Sequence, residues 1–204
     1  MEEEFSPLLL SIFFDITLQP ISIGIVLNFI VILLMLFCSA LISGAEVAYF
    51  SLTPNDVEDL NQEKSKKALL TLKLLEKPNK LLATILITNN FINIGIILLS
   101  TYLTASIFKF PENSIMEFMF QIVVITFVIV LFGEITPKVY ANRNALWFSK
   151  WMSIPLNLSS KLFSPLSYLL TSSTAFIDKR LKRKKEVVSM DELAEALELT
   201  TETD

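Results

Sequence analysis

The sequence has no histidine among its 204 residues, which excludes catalysis by histidine and zinc or iron sites built on histidine ligands. Its single cysteine, Cys38, lies in an apolar run, so neither a disulfide framework nor a cysteine-based metal site is expected. The N-terminus, Met-Glu-Glu-Glu, lacks the basic n-region of a signal peptide. The sequence also shows no nucleophile–base pair and no phosphate-binding loop, so we do not expect an enzyme.

Long apolar runs dominate the chain, which is 52% hydrophobic and has a mean hydropathy of +0.57. Three of these runs, at about 23–50, 81–107 and 116–137, reach bilayer length, because a membrane-spanning helix needs ~20 apolar residues. Residues 5–22 are interrupted by an aspartate and a proline and predict a short interfacial helix. We therefore predict an all-α integral membrane protein with three transmembrane helices.

The distribution of lysines predicts the orientation in the membrane. Residues 54–77 are rich in lysine and follow Thr53, which is typical of a helix N-cap, so they predict a cytoplasmic helical hairpin between the first two spans. Residues 141–151, with two tryptophans beside basic residues, predict a helix in the inner interface, and 153–177 predict a bent juxtamembrane belt helix. This multi-pass protein of the cell inner (cytoplasmic) membrane would have its N-terminus outside and its C-terminus in the cytoplasm.

These features divide the chain into three parts. Residues 1–22 form an extracytoplasmic N-terminal segment, 23–180 a transmembrane domain, and 181–204 a linker that is basic and then acidic. The basic run 179–185 follows a membrane segment, so it predicts an anchor to anionic lipid rather than a nucleic-acid site. A capping box at Ser189 predicts a helix that would lead into a cytoplasmic domain beyond Asp204.

Polar residues interrupt each apolar run: Ser39, Ser43 and Glu46 in the first, Asn89, Asn90 and Asn93 in the second, and Gly133, Glu134 and Pro137 in the third. A charge in hydrocarbon costs at least ~2.5–3.5 kcal/mol, so Glu134 requires a partner or water. Pro137 has no N–H and frees a carbonyl about one turn back, near Gly133. Each set also has a structural alternative: close packing at the serines, hydrogen bonding between helices at the asparagines, and a helix end at the headgroups for Glu134.

The depth of these polar residues favours a common site. Counted at 1.5 Å per residue from the inner end of each span, Ser43 lies ~16 Å deep, the asparagines ~12–18 Å deep and Glu134 ~13 Å deep. Ligands of one site must share a depth, whereas unrelated packing residues need not. Hydroxyl, amide and carboxylate oxygens suit Mg²⁺, with Na⁺ or Ca²⁺ as alternatives. The layer predicts an ion site that opens to the cytoplasm, with Glu46 at its mouth.

At these residues the sequence resembles the transmembrane domain of the CNNM/CorC family (DUF21). The resemblance covers roughly 22–180 and rests on three signatures in the same order: Ser43-Gly44-Ala45-Glu46, Asn89-Asn90-Phe91-Ile92-Asn93 and Gly133-Glu134-Ile135-Thr136-Pro137-Lys138. Two residues depart from the family pattern, Thr88 where glycine is common and Val47 where threonine is frequent. Thr88 would narrow the cavity and bears on which ion is bound.

The resemblance implies a homodimer that exports Mg²⁺, proposed to be coupled to Na⁺ entry. It also implies a cytoplasmic pair of CBS domains that binds ATP and would follow the present chain. Carried over by motif, the metal ligands are Ser43, Asn90, Asn93 and Glu134, with Asn89 beside them. The chain as a whole is also similar to the GldE branch of the family, which is associated with gliding motility.

Two functions therefore remain open. The first is a divalent-cation transporter, with Mg²⁺ efflux through an inward-facing site lined by oxygen. The second is a membrane scaffold or assembly factor for gliding motility or secretion machinery, with a vestigial ion site. The first requires the Glu134 carboxylate. The second predicts partners among motility or secretion proteins and surface contacts through residues 54–77.

Overall fold

A computed structural model of the protein describes residues 17–109 and 119–172. In chain order this part contains β1 (Thr17–Leu18), α1 (Ile23–Phe50), α2 (Pro54–Gln62), α3 (Lys66–Leu75), α4 (Pro78–Ile107), β2 (Phe108–Lys109), α5 (four consecutive stretches, Phe120–Ile125, Thr126–Val128, Ile129–Ile135 and Thr136–Arg143), α6 (Ala145–Leu162) and α7 (164–172). In the described ranges, α1, α4 and α5 have the length and hydropathy of membrane spans. The chain is thus an all-α integral membrane protein with three transmembrane helices, as predicted.

The start of α1 and the end of α4 are joined by a short antiparallel pairing of β1 with β2, in which Thr17 pairs with Lys109 and Leu18 with Phe108. The Gln19 amide extends this pairing by donating to the Ile107 carbonyl, 2.9 Å away. The predicted interfacial helix is therefore wrong at its C-terminal end, because these backbone groups pair with another segment. The rest of that prediction lies outside the described residues.

The segment between α1 and α4 forms two short helices, α2 and α3, which pack against each other. A capping box begins α2: the Asp56 amide donates to Thr53 Oγ1 at 3.2 Å, and the Thr53 amide donates to Asp56 Oδ2 at 2.8 Å. The hydroxyl of Thr53 also donates to this carboxylate, and the two bonds lower the Asp56 pKa below its ordinary value. The helical hairpin thus forms where the N-cap signal predicted it, and its cytoplasmic location stays a prediction.

Residues 145–162 form one helix, α6, which packs on α1 and α3. The division into an interface helix and a separate belt helix was wrong, because buried Phe148, Met152 and Leu156 make one continuous apolar stripe. On the outer side of α6, Trp147 and Trp151 stack with ring centroids 6.0 Å apart and are exposed, as expected at an interface. The remainder of the predicted belt helix, beyond residue 172, lies outside the described residues.

The buried core has two parts. Near the α2–α3 hairpin, α1 packs against α4, α5 and α6 around Ala45, Tyr49, Ile85 and Met152. Towards the other end, one isoleucine from each span closes the bundle: Ile32, Ile96 and Ile129. Ser39, the asparagines and Glu134 lie between these two apolar layers along their helices, whereas Ser43 and Glu46 lie at the level of the layer near the hairpin. Many large apolar side chains on the outside of the spans are exposed, as lipid-facing residues must be.

Candidate metal site between the three spans

Ser39 on α1 is the centre of the polar contacts between spans. Its side chain is fully buried, and its Oγ lies 2.9 Å from Asn89 Oδ1 and 2.7 Å from Asn93 Oδ1 on α4. The two asparagines can reach the same serine because residues four apart lie on one face of a helix. Three side-chain oxygens from two spans therefore meet at one point.

The Ser39 hydroxyl alone cannot satisfy both asparagine oxygens. It has one hydrogen, so it can donate to Asn89 Oδ1 or to Asn93 Oδ1, but not to both. Asn93 is oriented by its Nδ2 bond to Glu134, whereas Asn89 can either turn its Nδ2 towards Ser39 Oγ or keep its oxygen there beside a cation. Hydroxyl and amide oxygens that meet in this way are ligands for a hard cation.

Glu134 brings α5 into the same cluster. Its Oε1 accepts a hydrogen bond from Asn93 Nδ2 at 3.2 Å. Gly133 faces α1 at this level: a Cβ on this residue would lie 3.4 Å from Ser39 Oγ and 3.4 Å from Leu36 Cδ1, which is van der Waals contact. The three spans thus contribute a hydroxyl, two amides and a carboxylate to one cluster. The common depth was counted for Ser43, the asparagines and Glu134, whereas the residue of α1 that contacts the asparagines is Ser39.

The backbone of α5 is π-helical over Ile129–Ile135, which includes both Gly133 and Glu134. The Thr136 amide donates to the Leu131 carbonyl, five residues back, so the turn is wider here than in an α-helix. Single π-helical turns of this kind occur frequently at functional sites. The sequence analysis missed this stretch, and its one signal was the combination of Gly133 with Pro137. The free carbonyl predicted near Gly133 stays a prediction.

Two predicted ligands lie differently from the cluster. Ser43 is one turn from Ser39 along α1, and its Oγ is fully buried without a hydrogen-bond partner in the described part of the chain. Asn90 lies on the exposed side of α4 and forms no hydrogen bond with the described residues. The geometry therefore brings together Ser39, Asn89, Asn93 and Glu134, with an unpaired hydroxyl at Ser43 close by in sequence and depth.

Glu46 forms an ion pair with Lys138, and its location at the mouth of the site stays a prediction. Its Oε2 lies 3.1 Å from Lys138 Nζ, and each side chain is 37% exposed. Lys138 follows Glu134 by one helical turn, so a fixed positive charge lies on the same side of α5 as the carboxylate of the cluster. Lys138 was quoted in the third signature, but the sequence gave no reason to pair it with α1.

The family model of the Cyclin M transmembrane N-terminal domain (CNNM) matches residues 29–204, most of the chain. The chain belongs to the CNNM family. A UPF0053 protein of Haemophilus influenzae is 32% identical over 81% of this CNNM chain and 39% of its own length. The UPF0053 inner membrane protein YfjD of Escherichia coli is 28% identical over 74% of this chain and 34% of its own length.

A third relative, which is named metal transporter cnnm-4, comes from Caenorhabditis elegans. It is 30% identical over 68% of this chain and 30% of its own length. The CNNM chain described here thus spans about two fifths or less of the length of these three relatives. The resemblance predicted from the three signatures is confirmed at the level of the family, whereas its assignment to the GldE branch stays a prediction.

Proposed function

We propose that this CNNM chain is part of a membrane transporter of divalent cations, and that it exports Mg²⁺ from the cytoplasm with Na⁺ entry as the coupled process. The observation that carries the proposal is the convergence of the Ser39, Asn89 and Asn93 side chains beside the Glu134 carboxylate, between three membrane spans. The name of the relative cnnm-4, a metal transporter, agrees with it.

The donor set fits Mg²⁺ as the transported substrate. This ion prefers oxygen ligands at ~2.0–2.1 Å and requires a near-octahedral arrangement. The Asn89 and Asn93 carbonyl oxygens, the Ser39 and Ser43 hydroxyls and the Glu134 carboxylate are the side-chain ligands within reach of one another along the three spans. The Gly133 carbonyl and, after a rotation of α4, Asn90 are further ligands in this proposal.

Glu134 supplies the one negative charge of the cluster. Its electrostatic attraction is strong because the site lies between two apolar layers, where the effective dielectric is low. Pro137 has no N–H to donate to the preceding turn, and in this proposal the carbonyl that it leaves free near Gly133 faces the ion. The Glu46–Lys138 pair lies one turn further along and would border the path of the ion towards the hairpin end.

The surroundings of the site in the cell complete the proposal. The lysines of the α2–α3 segment support a cytoplasmic location for that end of the bundle, and in this proposal the N-terminus lies outside and the C-terminus inside the inner membrane. The site would open to this cytoplasmic side in a homodimer. The chain spans 39% of the length of the Haemophilus influenzae relative. For the whole protein, we further propose regulation by ATP through CBS domains.

Mg²⁺ flux in reconstituted vesicles tests this function. We expect Glu134→Gln, which keeps the size of the side chain and removes its charge, to lower Mg²⁺ flux by at least tenfold. Glu58→Gln is the matched control, because it removes the same charge from an exposed position on α2 and should leave flux unchanged. Mn²⁺ binding measured by electron paramagnetic resonance should fall in parallel with flux in Glu134→Gln.

Unchanged flux and Mn²⁺ binding in Glu134→Gln would refute the transport proposal. In that case the scaffold function gains support if surface substitutions on α2 and α3 abolish the cellular phenotype while the Glu134 variant keeps it.

A further inference from the structure

A cavity of about 250 Å³ lies where the α3–α4 connection meets the end of α6 and the start of α7. It is separate from the cluster of Ser39 and Glu134. Four lysines line the cavity: Lys73, Lys77, Lys80 and Lys161. Among the described residues that line it, one is acidic, Glu76. Ser160, Ser164 and Asn157 add neutral polar groups, and Leu74 with Leu81 adds an apolar part.

The positive charge around this cavity is not neutralised within the described part of the chain. The ion pairs found there join Lys138 to Glu46 and Lys150 to Glu63, so none of the four lysines takes part in one. Lys80 instead donates to Ser164 Oγ at 3.4 Å, which fixes its ammonium group at the wall of the cavity. Like charges that line a concave surface raise the local potential and attract an anion.

The backbone adds to this potential. Helix α4 begins with Pro78, directly beside the cavity, and the preceding Lys77 makes no side-chain cap to the first turn. The amides of Asn79 and Lys80 therefore have no side-chain acceptor, and the positive end of the helix dipole points out of this turn. Lysine ammonium groups, serine hydroxyls and helix amides are together typical ligands of phosphate.

The depth of the cavity indicates where the phosphate comes from. Pro78 begins the second membrane span, so the cavity lies at the level where the chain enters the bilayer. The exposed, stacked tryptophans of α6, Trp147 and Trp151, are typical of the same level. Phospholipid phosphates lie in this zone, and the apolar side of the cavity, Leu74 and Leu81, is suited to the first methylene groups of an acyl chain.

We propose that this cavity binds a phosphate group, and that an anionic phospholipid headgroup supplies it. The site goes beyond the proposed transport and does not depend on it. A bound lipid would bridge the α2–α3 hairpin, the start of α4, the end of α6 and the start of α7. These elements meet here around lysines that form no ion pair within the described part of the chain. Its occupancy would then stabilise the packing of α7 on α4, where Thr84 and Ser167 hydroxyls lie 3.2 Å apart.

Lipid retention after purification in mild detergent tests this site. The protein is reconstituted with equal amounts of phosphatidylglycerol and phosphatidylcholine, re-extracted, and analysed by native mass spectrometry. We expect one phosphatidylglycerol retained per chain, and a loss on the order of tenfold or more in the double variant Lys77→Gln/Lys80→Gln, since each lysine near an anionic headgroup contributes roughly fivefold. The matched control, Lys64→Gln/Lys66→Gln, removes two exposed lysines of the same segment outside the cavity and should keep the lipid.

Each outcome decides the proposal. Equal loss of lipid in both double variants would show general surface attraction and overturn it, as would retention of phosphatidylcholine as strong as that of phosphatidylglycerol. Displacement of the lipid by millimolar inorganic phosphate would support the phosphate site and overturn the lipid as its source. If the double variant does not fold, Lys161→Gln on the opposite wall replaces it, with an expected loss of about fivefold and the same reading.

Discussion

Gly44 lies at the narrowest approach between α1, the end of α5 and α6. A Cβ on this residue would come within 2.9 Å of Phe148 Cζ and 3.3 Å of Ala141 Cβ. Phe148 is itself 4% exposed and surrounded by the core near the hairpin, so its ring has no free space to move into. A glycine at position 44 is therefore required for the packing of three elements.

We expect Gly44→Ala to destabilise the protein by about 1–3 kcal/mol, because the added methyl group forces Phe148 out of its packed position. Thermal unfolding in detergent measures the change. Gly24→Ala is the matched control in the same helix: its Cβ would meet only Ser22 Oγ, at 3.6 Å, and the substitution should be neutral or slightly stabilising. Equal melting temperatures for the two variants would contradict this packing argument.

At the scale of single residues, the sequence identified Ser39, Asn89, Asn93 and Glu134 as polar residues within the spans, but it did not distinguish them from the exposed Asn90 or give their partners. Ser39 and Ser43 lie one turn apart on the same face of α1, so counting residues cannot distinguish which of them meets the asparagines. Depth counted from helix ends carries an error of about one turn, roughly 5 Å, because ends shift by a few residues. Lys138 was missed for a related reason: the helix rotation that brings it to Glu46 depends on packing between spans.

The α2–α3 hairpin and α6 are joined across the chain by Glu63 and Lys150. Lys150 Nζ donates to Glu63 Oε2 at 2.7 Å, and the Ser65 hydroxyl donates to Glu63 Oε1 at 2.9 Å. The bond from Lys150 and then that from Ser65 hold the pKa of Glu63 below its ordinary value of 4.5. The group is fully exposed, so the pair orients the hairpin and contributes little to overall stability.

The sign of its pH dependence follows from the lowered pKa. A carboxylate with a depressed folded-state pKa contributes above its unfolded value and loses that contribution as the pH falls through the folded value. We therefore expect the contact between hairpin and α6 to loosen below about pH 4.5, the ordinary pKa of this group. Trp147 and Trp151 are the two tryptophans of the chain and lie on α6 on either side of Lys150, so their fluorescence should report this change.

Glu63→Gln should remove the acid-dependent change in fluorescence, whereas Glu58→Gln, an exposed carboxylate on α2, should keep it. A fluorescence transition of the same size in Glu63→Gln would assign the change to another group.

At the scale of elements, apolar length alone predicted the spans well. The first was predicted at 23–50 and is Ile23–Phe50, and the second differs by one turn because Pro78 begins the helix before the apolar run does. The π-helical stretch could not be predicted, since a switch to bonds between residues five apart depends on how α5 packs against Ser39 and Leu36. The continuity of α6 could not be predicted either. An internal proline such as Pro155 is typical of a helix break, yet α6 continues through it, and Pro155 lies on the exposed side of the helix.

The molecule as a whole has two ends of different chemistry. The α2–α3 hairpin carries four of the ten lysines in residues 17–109 and 119–172, and Lys77 and Lys80 follow it directly. The β1–β2 pairing lies at the opposite ends of α1 and α4. Because lysine-rich loops remain on the cytoplasmic side of a membrane, the hairpin end is expected inside the cell and the strand pairing outside.

Labelling of single cysteines in intact cells checks this orientation. Cys38 is replaced by serine to give a cysteine-free background, and either Ile21→Cys or Gln62→Cys is added at an exposed site. We expect a membrane-impermeant maleimide to label the Ile21→Cys variant in intact cells, and the Gln62→Cys variant only after the membrane is permeabilised. Labelling in the reverse order would invert the topology, and the direction of transport with it.

The backbone clasp between residues 17–19 and 107–109 has a mechanical consequence for α1 and α4. Two helices that are held together at one end can separate only by tilting about that end, so the displacement of one helix relative to the other grows with distance from it. Asn93 is 14 residues from Ile107, a lever arm of about 20 Å. A tilt of only about 5° at the clasp would shift Ser39 relative to Asn93 by roughly 2 Å. This shift is enough to break the 2.7 Å contact between Ser39 Oγ and Asn93 Oδ1 while β1 and β2 stay paired.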